Sequence, residues 1–487
     1  MKKRLKPIMF VGTGSDVGKS VINAAFCRIF VQDGYAPAPF KAQNMSLNSY
    51  ATPDNLEIGR AQAMQAEACK IDCSVEMNPV LLKPTSYQSS QVVLNGKPMG
   101  NKTASEYFLE TDRDELFSKA ISAFNVLHSK YNPIVIEGAG SISEMNLWDK
   151  DITNMRVALE TGAATYLIAD IDRGGVFASV YGTMELLPEK ERESIKGIII
   201  NKFRGDIKLF EEGKIMLQNL IQKPVVGIIP YFNDIFIEQE DSVVIDNKNK
   251  TYMNGKINIA VVLVPHMSNF TDFDNLERIT QVHLYYTHNI TELEKADIVI
   301  LPGSKNTIAD LQYLRDKGID QTIVQMSKAG KQVYGICGGF QMMGRKISDP
   351  NHVEGNICKI EGLNLLPVET ILTTEKKTNQ VEFKFLENSS ACAGYEIHMG
   401  ETVSDNYSPL CTANNLKEGY FLNPKIWGTY IHGIFDNPCV VENILKVVSS
   451  DIKVNFNFKE FKQQEFNKLA DLVRNSVDMD YIYDSLL

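Results

Sequence analysis

Short runs of apolar, often β-branched residues alternate with amphipathic stretches along most of the chain. This alternation is typical of parallel sheets that are covered by helices on both faces. The predicted fold class is therefore α/β, with two doubly wound and mainly parallel sheets. Strands are predicted in the first half at 8–11, 38–40, 134–136, 166–169, 197–200 and 225–229, and in the second half at 257–264, 298–301 and 332–336.

The length of 487 residues is too great for a single hydrophobic core, so at least two domains are expected. A polar and charged segment with few large apolar residues, 238–256, is predicted to be a linker. It separates a predicted domain at 1–237 from a second one at 257–445. Residues 446–487 are predicted to form a helical extension that packs on the second domain.

The formal net charge of -10 argues against bulk attraction to nucleic acid or to an anionic membrane, so small-molecule partners are expected. No apolar stretch of the sequence is long enough for a transmembrane helix. The eight cysteines include no CxxC pair, which is typical of reduced thiols rather than of a disulfide framework or a zinc site. We therefore expect a cytoplasmic protein, and the sequence leaves open whether it forms a homo-oligomer.

The first predicted strand runs into a glycine-rich loop that ends in Gly18, Lys19 and Ser20. The loop has one residue more before Gly18 than the usual G-x-x-x-x-G-K-[ST] pattern, but its end is intact. Glycines allow backbone N–H groups to turn toward phosphates, the lysine neutralises them, and the serine hydroxyl binds Mg²⁺. A simple glycine turn before a helix is the alternative. The predicted ATP-binding residues of this loop are Gly12, Thr13, Gly14, Asp16, Val17, Gly18, Lys19 and Ser20.

Two charged residues follow other predicted strands of the first half. Glu137 follows the strand at 134–136, where its carboxylate would face the nucleotide and bind Mg²⁺. An ordinary surface glutamate at a strand end is the alternative. Lys41 follows the strand at 38–40 and is either a second phosphate contact or a solvated lysine.

A different chemistry is indicated at Cys337, where an apolar strand meets two glycines and a helix-like stretch. A nucleophile on such a sharp turn is exposed at a helix N-terminus, where the helix dipole favours a thiolate. The N–H groups of Gly303 and Gly338 are predicted to hold an oxyanion, and His432 is the predicted base. The alternatives are a buried apolar cysteine and a structural histidine.

Several long strings give the chain a family resemblance: FKAQNMSLNS at 40–49, GRAQA at 59–63, MNPVLLKP at 77–84, NKFRGD at 201–206 and GYEIHMG at 394–400. The first half resembles ATPases of the dethiobiotin synthetase type, and the second half resembles class I glutamine amidotransferases. The fusion resembles the cobyric acid synthases of the cobalamin pathway. This resemblance covers nearly the whole chain.

The resemblance implies amidation of carboxylates b, d, e and g of adenosylcobyrinic acid a,c-diamide, with ATP, Mg²⁺ and L-glutamine. It implies that Asn201 contacts the nucleotide and that Glu57 is a weaker third metal ligand beside Ser20 and Glu137. Asp149 either positions the substrate carboxyl or ammonia, or belongs to a solvated loop. Residues that the resemblance places at the corrinoid substrate are Gln43, Asn44 and Lys83.

Two alternatives remain for the function. Cobyrinic acid a,c-diamide synthase shares both domains but amidates other carboxylates, and a partitioning-type ATPase scaffold shares only the phosphate-loop fold. The partner of His432 is also open, because many class I amidotransferases have a glutamate two residues later, where this chain has Ile434. Asp436 and Glu396 are the candidate substitutes.

Overall fold

A computed structural model describes residues 3–85, 89–103, 105–239, 245, 248–386, 390–454 and 456–487. Its secondary structure confirms the predicted α/β class, and each strand predicted from the apolar runs is present, with small shifts at the ends. Within the described part of the chain, no helix combines the length and the apolar character that are needed to cross a bilayer.

The first domain is built on a sheet with the strand order β12-β11-β10-β1-β9-β2 in the described residues. All neighbouring strands of this sheet are parallel. The strands of the domain are β1 (Ile8–Gly12), β2 (Ala38–Phe40), β3 (Gln43–Met45), β4 (Ser49–Ala51), β5 (Glu57–Gly59), β6 (Val80–Pro84), β7 (Ser89–Leu94), β8 (Lys97–Thr103), β9 (Ile134–Glu137), β10 (Ala164–Asp170), β11 (Ile195–Phe203) and β12 (Val225–Pro230).

Helices cover both faces of this sheet. They are α1 (Lys19–Gln32), α2 (Arg60–Cys69), α3 (Arg113–Lys130), α4 (Met155–Thr161), α5 (Val176–Leu186), α6 (Glu189–Ser194) and α7 (Glu211–Ile221), with single turns at Val75–Met77, Glu106–Glu110, Met145–Lys150 and Ile207–Phe210. In the central strand, Met9 and Val11 belong to one hydrophobic core, whereas Ile8 and Phe10 belong to another. The alternation of side chains along β1 thus supplies two cores, as a doubly wound sheet requires.

The segment between β2 and α3 forms a smaller layer beside the main sheet. Strands β3, β6, β7 and β8 form one small sheet, and β4 pairs with β5. This layer carries most of the strings at 40–49, 59–63 and 77–84, and it contacts the second domain.

The second domain contains a sheet with the strand order β15-β13-β16-β18-β26-β25 and a second, mainly antiparallel sheet. Its strands are β13 (Ile257–Val262), β14 (Met267–Ser268), β15 (Val282–Thr287), β16 (Ile298–Leu301), β17 (Gly303–Ser304), β18 (Gln332–Ile336), β19 (Lys346–Ser348), β20 (Lys359–Glu361), β21 (Glu369–Phe385), β22 (Cys392–Val403), β23 (Cys411–Ala413), β24 (Leu416–Glu418), β25 (Tyr420–Asn423), β26 (Ile426–Thr429) and β27 (Ile431–His432). The helices are α8 (Ile290–Leu293), α9 (Thr307–Asp316), α10 (Ile319–Lys328), α11 (Gly338–Met343) and α12 (Pro438–Lys446), with single turns at Phe270–Phe273, Leu276–Arg278 and Ile434–Asp436.

The C-terminal helices α13 (Phe458–Arg474) and α14 (Met479–Leu486) pack on the first domain, so the predicted packing on the second domain is wrong. The apolar face of α13, with Phe466 and Leu469, joins the core that lies beneath α1. The chain after α13 also extends the first sheet, because the Asp478 N–H donates to the Val226 carbonyl over 2.7 Å. The edge of β12 and the apolar surface of α1 bind these C-terminal segments. The sequence did not indicate this packing because the interacting residues are far apart in the chain.

The predicted linker at 238–256 is not uniformly solvent-exposed. Glu238 is buried and pairs with Arg60, and Ile245 is buried in the core of the second domain. Residues 240–244, 246 and 247 of this predicted linker lie outside the described residues.

Candidate active sites

The glycine-rich loop lies between β1 and α1, at the carboxyl edge of the first sheet. Gly18 has a φ of 98°, and a Cβ atom at this position would lie 2.2 Å from the Nδ2 atom of Asn201. Both the left-handed backbone and the close approach require glycine. The loop therefore turns tightly over the sheet, with the N-terminus of α1 directly behind it.

Lys19 is buried and reaches back over the loop. Its Nζ atom donates hydrogen bonds to the carbonyls of Gly14 and Gly140, each over 2.8 Å. These bonds join the loop to the segment after β9. They hold the ammonium group at the carboxyl edge of the sheet, where the sequence predicted a phosphate contact.

Glu137 is the centre of a buried polar cluster at the end of β9. Its Oε1 atom accepts hydrogen bonds from Ser20 (2.8 Å) and Lys41 (2.7 Å), and its Oε2 atom accepts one from Gln65 (2.6 Å). Burial alone would raise the pKa of Glu137, but the charge of Lys41 and these three hydrogen bonds outweigh it and lower the pKa below its ordinary value. Glu137 is therefore ionised at neutral pH.

The oxygen atoms of this cluster are of the kind that binds Mg²⁺. A serine hydroxyl and one ionised carboxylate lie 2.8 Å apart at the loop, and no group of three or more acidic, histidine or cysteine ligands is found among the described residues. Mg²⁺ is usually bound by one or two carboxylates together with substrate phosphates and water. Ser20 and Glu137 suit an ion that is bound together with a nucleotide.

Asn201 and its neighbour support the loop from β11. The Asn201 side chain donates to the Val17 carbonyl over 2.8 Å, and Lys202 donates to the Asp16 carbonyl over 2.6 Å. Lys202 also pairs with Asp170 at the end of β10. In this arrangement the Asn201 amide shapes the phosphate loop.

A cavity of about 1000 Å³ opens beyond this edge of the sheet. Its size is at the upper end of the range for small-molecule sites, so it has room for a nucleotide and part of a second ligand. The predicted site residues that line it are Asp16, Gly18, Lys19, Ser20, Lys41, Gln43, Asn44, Glu137 and Asn201.

Seven predicted residues of the first domain do not line this cavity. Four of them belong to the phosphate loop, Gly12, Thr13, Gly14 and Val17, and the others are Glu57, Lys83 and Asp149. Asp149 is exposed, although its neighbours Trp148 and Lys150 do line the cavity. Glu57 and Lys83 are buried and form an ion pair with a distance of 2.7 Å. Glu57 and Lys83 therefore do not belong to the site around the phosphate loop.

The assignment of Glu57 as a third metal ligand is wrong, because its carboxylate is held by two lysines. Its Oε1 atom accepts from Lys83, and its Oε2 atom accepts from Lys376 of the second domain. Burial opposes ionisation of Glu57, but the two ammonium groups outweigh it and hold the pKa of the carboxyl well below its ordinary value. Glu57 therefore joins the two domains through a buried ionic cluster.

Cys337 lies on the sharp turn that the sequence predicted between β18 and α11. Its φ of 51° and ψ of -109° are strained for a residue with a side chain. Gly339 permits this turn, since a Cβ atom there would lie 2.0 Å from the Leu301 carbonyl oxygen. Such strain is typical of a nucleophile that is presented on an elbow.

The predicted oxyanion glycines lie next to this turn. A Cβ atom on Gly338 would lie 2.8 Å from the Ser304 nitrogen, and one on Gly303 would lie 3.2 Å from the Cε1 atom of His432. Their small size thus permits the backbone, the thiol and the imidazole to approach one another closely. Whether their N–H groups hold an oxyanion stays a prediction.

His432 is buried beside the cysteine and is oriented by Asp272. The Nδ1–H group of His432 donates to Oδ2 of Asp272 over 2.7 Å. The ring lies near enough to Cys337 for the sulfur to affect its pKa, and the Cys337 thiol itself donates to the Ile397 carbonyl over 3.7 Å. Burial disfavours the imidazolium, but the Asp272 carboxylate and the Cys337 sulfur outweigh it and raise the pKa of His432 to about 10. The arrangement is a Cys-His-Asp triad, which is recognised by its geometry and not by its order in the chain.

The comparisons with known proteins agree with these two sites. Residues 8–243 match the model of the CobQ/CobB/MinD/ParA nucleotide binding domain, and residues 258–440 match that of the CobB/CobQ-like glutamine amidotransferase domain. The chain is similar to cobyric acid synthase from Parabacteroides distasonis, with 58% identity over 100% of both proteins. The chain belongs to the cobyric acid synthase family. This finding confirms the family that the sequence strings indicated.

Two further proteins are similar to this chain. The cobyric acid synthase of Bacteroides fragilis is 56% identical over 100% of this chain and 99% of that protein. Among solved structures, the chain is similar to PurLQS from Thermotoga maritima, with 17% identity and a TM-score of 0.32 over 40% of this chain and 100% of that one.

In this member of the cobyric acid synthase family, Asp272 was not predicted from the sequence. Neither of the proposed substitutes forms a hydrogen bond or an ion pair with the histidine: Glu396 pairs with Lys377, and Asp436 is a half-buried acid whose pKa is raised to about 7 by desolvation. Asp272 lies in a short turn after β13, and a polar residue beyond the carboxyl end of a parallel strand is a usable signal. That signal alone does not distinguish Asp272 from the acids that follow the turn, Asp274 and Glu277.

Proposed function

We propose that the chain amidates carboxylates b, d, e and g of adenosylcobyrinic acid a,c-diamide to give adenosylcobyric acid, using ATP and glutamine. The proposal rests on the presence, in one chain, of a phosphate loop beside Glu137 and of the Cys337-His432-Asp272 triad. The family supports the corrinoid substrate, which the shape and lining of the cavity would not identify by themselves. We place this reaction in the cytoplasm.

The triad releases ammonia from glutamine. His432 takes the thiol proton of Cys337, and the thiolate attacks the carboxamide carbon of glutamine. His432 returns the proton to the leaving nitrogen, so ammonia departs and a thioester remains. Water then attacks the thioester with His432 as the base, which regenerates the thiol and releases glutamate. Backbone N–H groups at Gly303 and Gly338 stabilise the oxyanion in both steps.

The first domain activates the acceptor carboxylate. A carboxylate oxygen attacks the γ-phosphorus of ATP, ADP leaves, and an acyl phosphate forms. Ammonia then attacks the acyl carbon, phosphate leaves, and the nitrogen loses a proton to give the amide. Lys19 and Lys41 stabilise the charge on the transferring phosphoryl group. When bound by Ser20 and Glu137, Mg²⁺ supplies further neutralisation of that charge.

The corrinoid is proposed to occupy the part of the cavity beyond the nucleotide. Gln43 and Asn44 line the cavity on β3, and the Gln43 side-chain carbonyl accepts a hydrogen bond from Tyr107. Asp149 stands at the edge of the same region, where it would position the substrate carboxyl or ammonia. Lys83 acts through its ion pair with Glu57, at the boundary between the domains.

The central test separates nitrogen supply from amide formation. The Cys337→Ala protein should lose glutamine-dependent amidation and should keep amidation with added ammonia. A partitioning-type scaffold would form no amide with either nitrogen source. Loss of both activities in a folded Cys337→Ala protein would contradict the separate roles of the two domains.

The substrate is tested by mass spectrometry of the corrinoid product. Four amides should be gained from the a,c-diamide, each replacing a hydroxyl with an amino group. Two amides gained from cobyrinic acid, with none gained from the a,c-diamide, would identify the alternative, cobyrinic acid a,c-diamide synthase. The high identity to cobyric acid synthases over the full chain favours the first outcome.

A further inference from the structure

The catalytic histidine of the second domain is supported by a short segment of the first domain. This segment is residues 48–50, which enters β4 and is hydrogen-bonded to the start of the turn that carries Asp272. The Phe270 N–H donates to the Asn48 side-chain oxygen over 3.3 Å. Phe270 is only two residues before the carboxylate that orients His432.

Asn269 makes the most complete contact across this boundary. Its Oδ1 atom accepts from the Ser49 N–H over 3.1 Å, and its Nδ2 atom donates to the Ser49 carbonyl over 3.3 Å. The same Nδ2 atom donates to the Tyr395 hydroxyl over 3.2 Å. The buried Asn269 amide therefore binds one residue of the first domain and one of the second.

Tyr395 carries this contact to the histidine. Its ring stacks on the His432 imidazole, with centroids 5.3 Å apart and an interplanar angle of 24°. The Tyr50 ring also contacts the Tyr395 ring, with a centroid distance of 4.5 Å. Asp272 thus holds the imidazole at Nδ1, and Tyr395 stacks on its face. Residues 48–50 contact both the turn that carries Asp272 and the Tyr395 ring.

The same segment is connected to the nucleotide cavity. The Asn48 carbonyl accepts a hydrogen bond from the Arg60 N–H, the first residue of α2. Further along α2, Gln65 donates to Glu137. Residues 48–50 also follow β3, which lines the cavity. A shift of β3 or α2 on ligand binding would therefore reach residues 48–50 through bonded neighbours.

We propose that Asn269 is a positioning residue that makes the orientation of His432 depend on segment 48–50, and so on the occupancy of the nucleotide cavity. This inference rests on the proposed glutamine-dependent reaction and adds its regulation. Binding of ATP and corrinoid is expected to stimulate glutamine hydrolysis, at least about fivefold, because coupling energies between sites are commonly of that size or larger.

The test uses the full-length Asn269→Gly protein. Asn269 has a φ of 53°, which glycine adopts without strain, so this change removes the amide and spares the backbone. Asn269→Asp keeps the acceptor for the Ser49 N–H and loses both donated hydrogen bonds. The matched control is Asn258→Ala, because the buried Asn258 amide also clamps one backbone residue, Met253, with both of its atoms.

In Asn269→Gly, kcat for glutamine hydrolysis should fall by about tenfold to a hundredfold, since small displacements of catalytic groups have effects of this size. The stimulation by ATP and corrinoid should disappear, while KM for glutamine and ammonia-dependent amidation stay at the wild-type values. Asn269→Asp should be intermediate, and Asn258→Ala should keep the stimulation.

Two results would overturn the inference. One is wild-type stimulation and kcat in Asn269→Gly, and the other is an equal loss of ammonia-dependent and glutamine-dependent amidation, which indicates a general structural role. Failure of the proposed function is distinguishable, because the wild-type protein itself would then hydrolyse no glutamine or amidate no corrinoid.

Discussion

The Nδ1 atom of His432 lies 2.7 Å from the Oδ2 atom of Asp272, although the two residues are 160 positions apart. The other carboxylate oxygen accepts the Gly433 N–H over 2.9 Å. Asp272 thus fixes both the ring and the backbone beside it, which selects the tautomer that leaves Nε2 for the thiol.

Asp272→Asn should lower kcat for glutamine hydrolysis by about a hundredfold to ten-thousandfold, the range set by losing the charge and orientation of a triad acid. The size of the side chain is preserved, so the fold should be retained. Steady-state glutaminase kinetics measure the effect, with ammonia-dependent amidation as the internal control. A wild-type kcat would remove Asp272 from the triad.

Asp272→Asn should also narrow the pH range of kcat/KM for glutamine on its alkaline side. The Asp272 carboxylate helps to raise the pKa of His432 to about 10, so the imidazolium persists into the alkaline range. Without this charge the pKa of His432 falls, and the imidazolium that protonates the leaving nitrogen is lost at lower pH. The alkaline limb of kcat/KM for glutamine should move toward neutrality. An alkaline limb at or above its wild-type position would contradict the assigned charge interaction.

Glu137→Gln should reduce ATP-dependent amidation on the order of a hundredfold with either glutamine or ammonia, because a charged group at the transferring phosphoryl is lost. Glutamine hydrolysis measured without ATP should be unaffected, since the triad lies in the other domain. The matched control is Glu144→Gln, which changes an exposed acid that lines the same cavity. Equal losses in the two variants would show that the effect is not specific to Glu137.

Glu57→Gln should destabilise the protein by about 3–5 kcal/mol, because it leaves two buried lysines without their shared carboxylate. Urea unfolding, followed by fluorescence, measures the change. Glu115→Gln removes one partner of an exposed pair with Lys119 and should leave unfolding unchanged. Similar unfolding curves for the two variants would argue against a buried ionic cluster.

Leu469→Ala should destabilise the first domain by about 2–5 kcal/mol, since it leaves a cavity where α13 packs against the core of that domain. Thermal unfolding of the first domain, with and without ATP, locates the effect. Leu209→Ala is the control, because Leu209 is 85% exposed on the same domain. A loss confined to the second domain would contradict the observed packing of the C-terminal helices.

Much of each site could be predicted because the residues that indicate it are close together in the sequence. The loop from Gly12 to Ser20 and the turn at Cys337 each combine a strand, glycines and a reactive residue within about ten positions. Glu137 and Asn201 were found because the carboxyl ends of parallel strands meet at one edge of the sheet. Glu57 was assigned only from the family resemblance, and that assignment failed because a charged residue in a small strand has no fixed direction until its partners are known.

The chain itself therefore determined the fold class, the two chemistries and the family, since periodicity, short motifs and long strings are properties of neighbouring residues. Tertiary structure alone decided that Asp272 orients His432, that Lys83 and Lys376 hold Glu57, and that α13 packs on the first domain. These outcomes depend on which buried charges and apolar faces meet after folding. Hydrogen bonding and desolvation act over a few ångströms in space, whatever the separation along the chain.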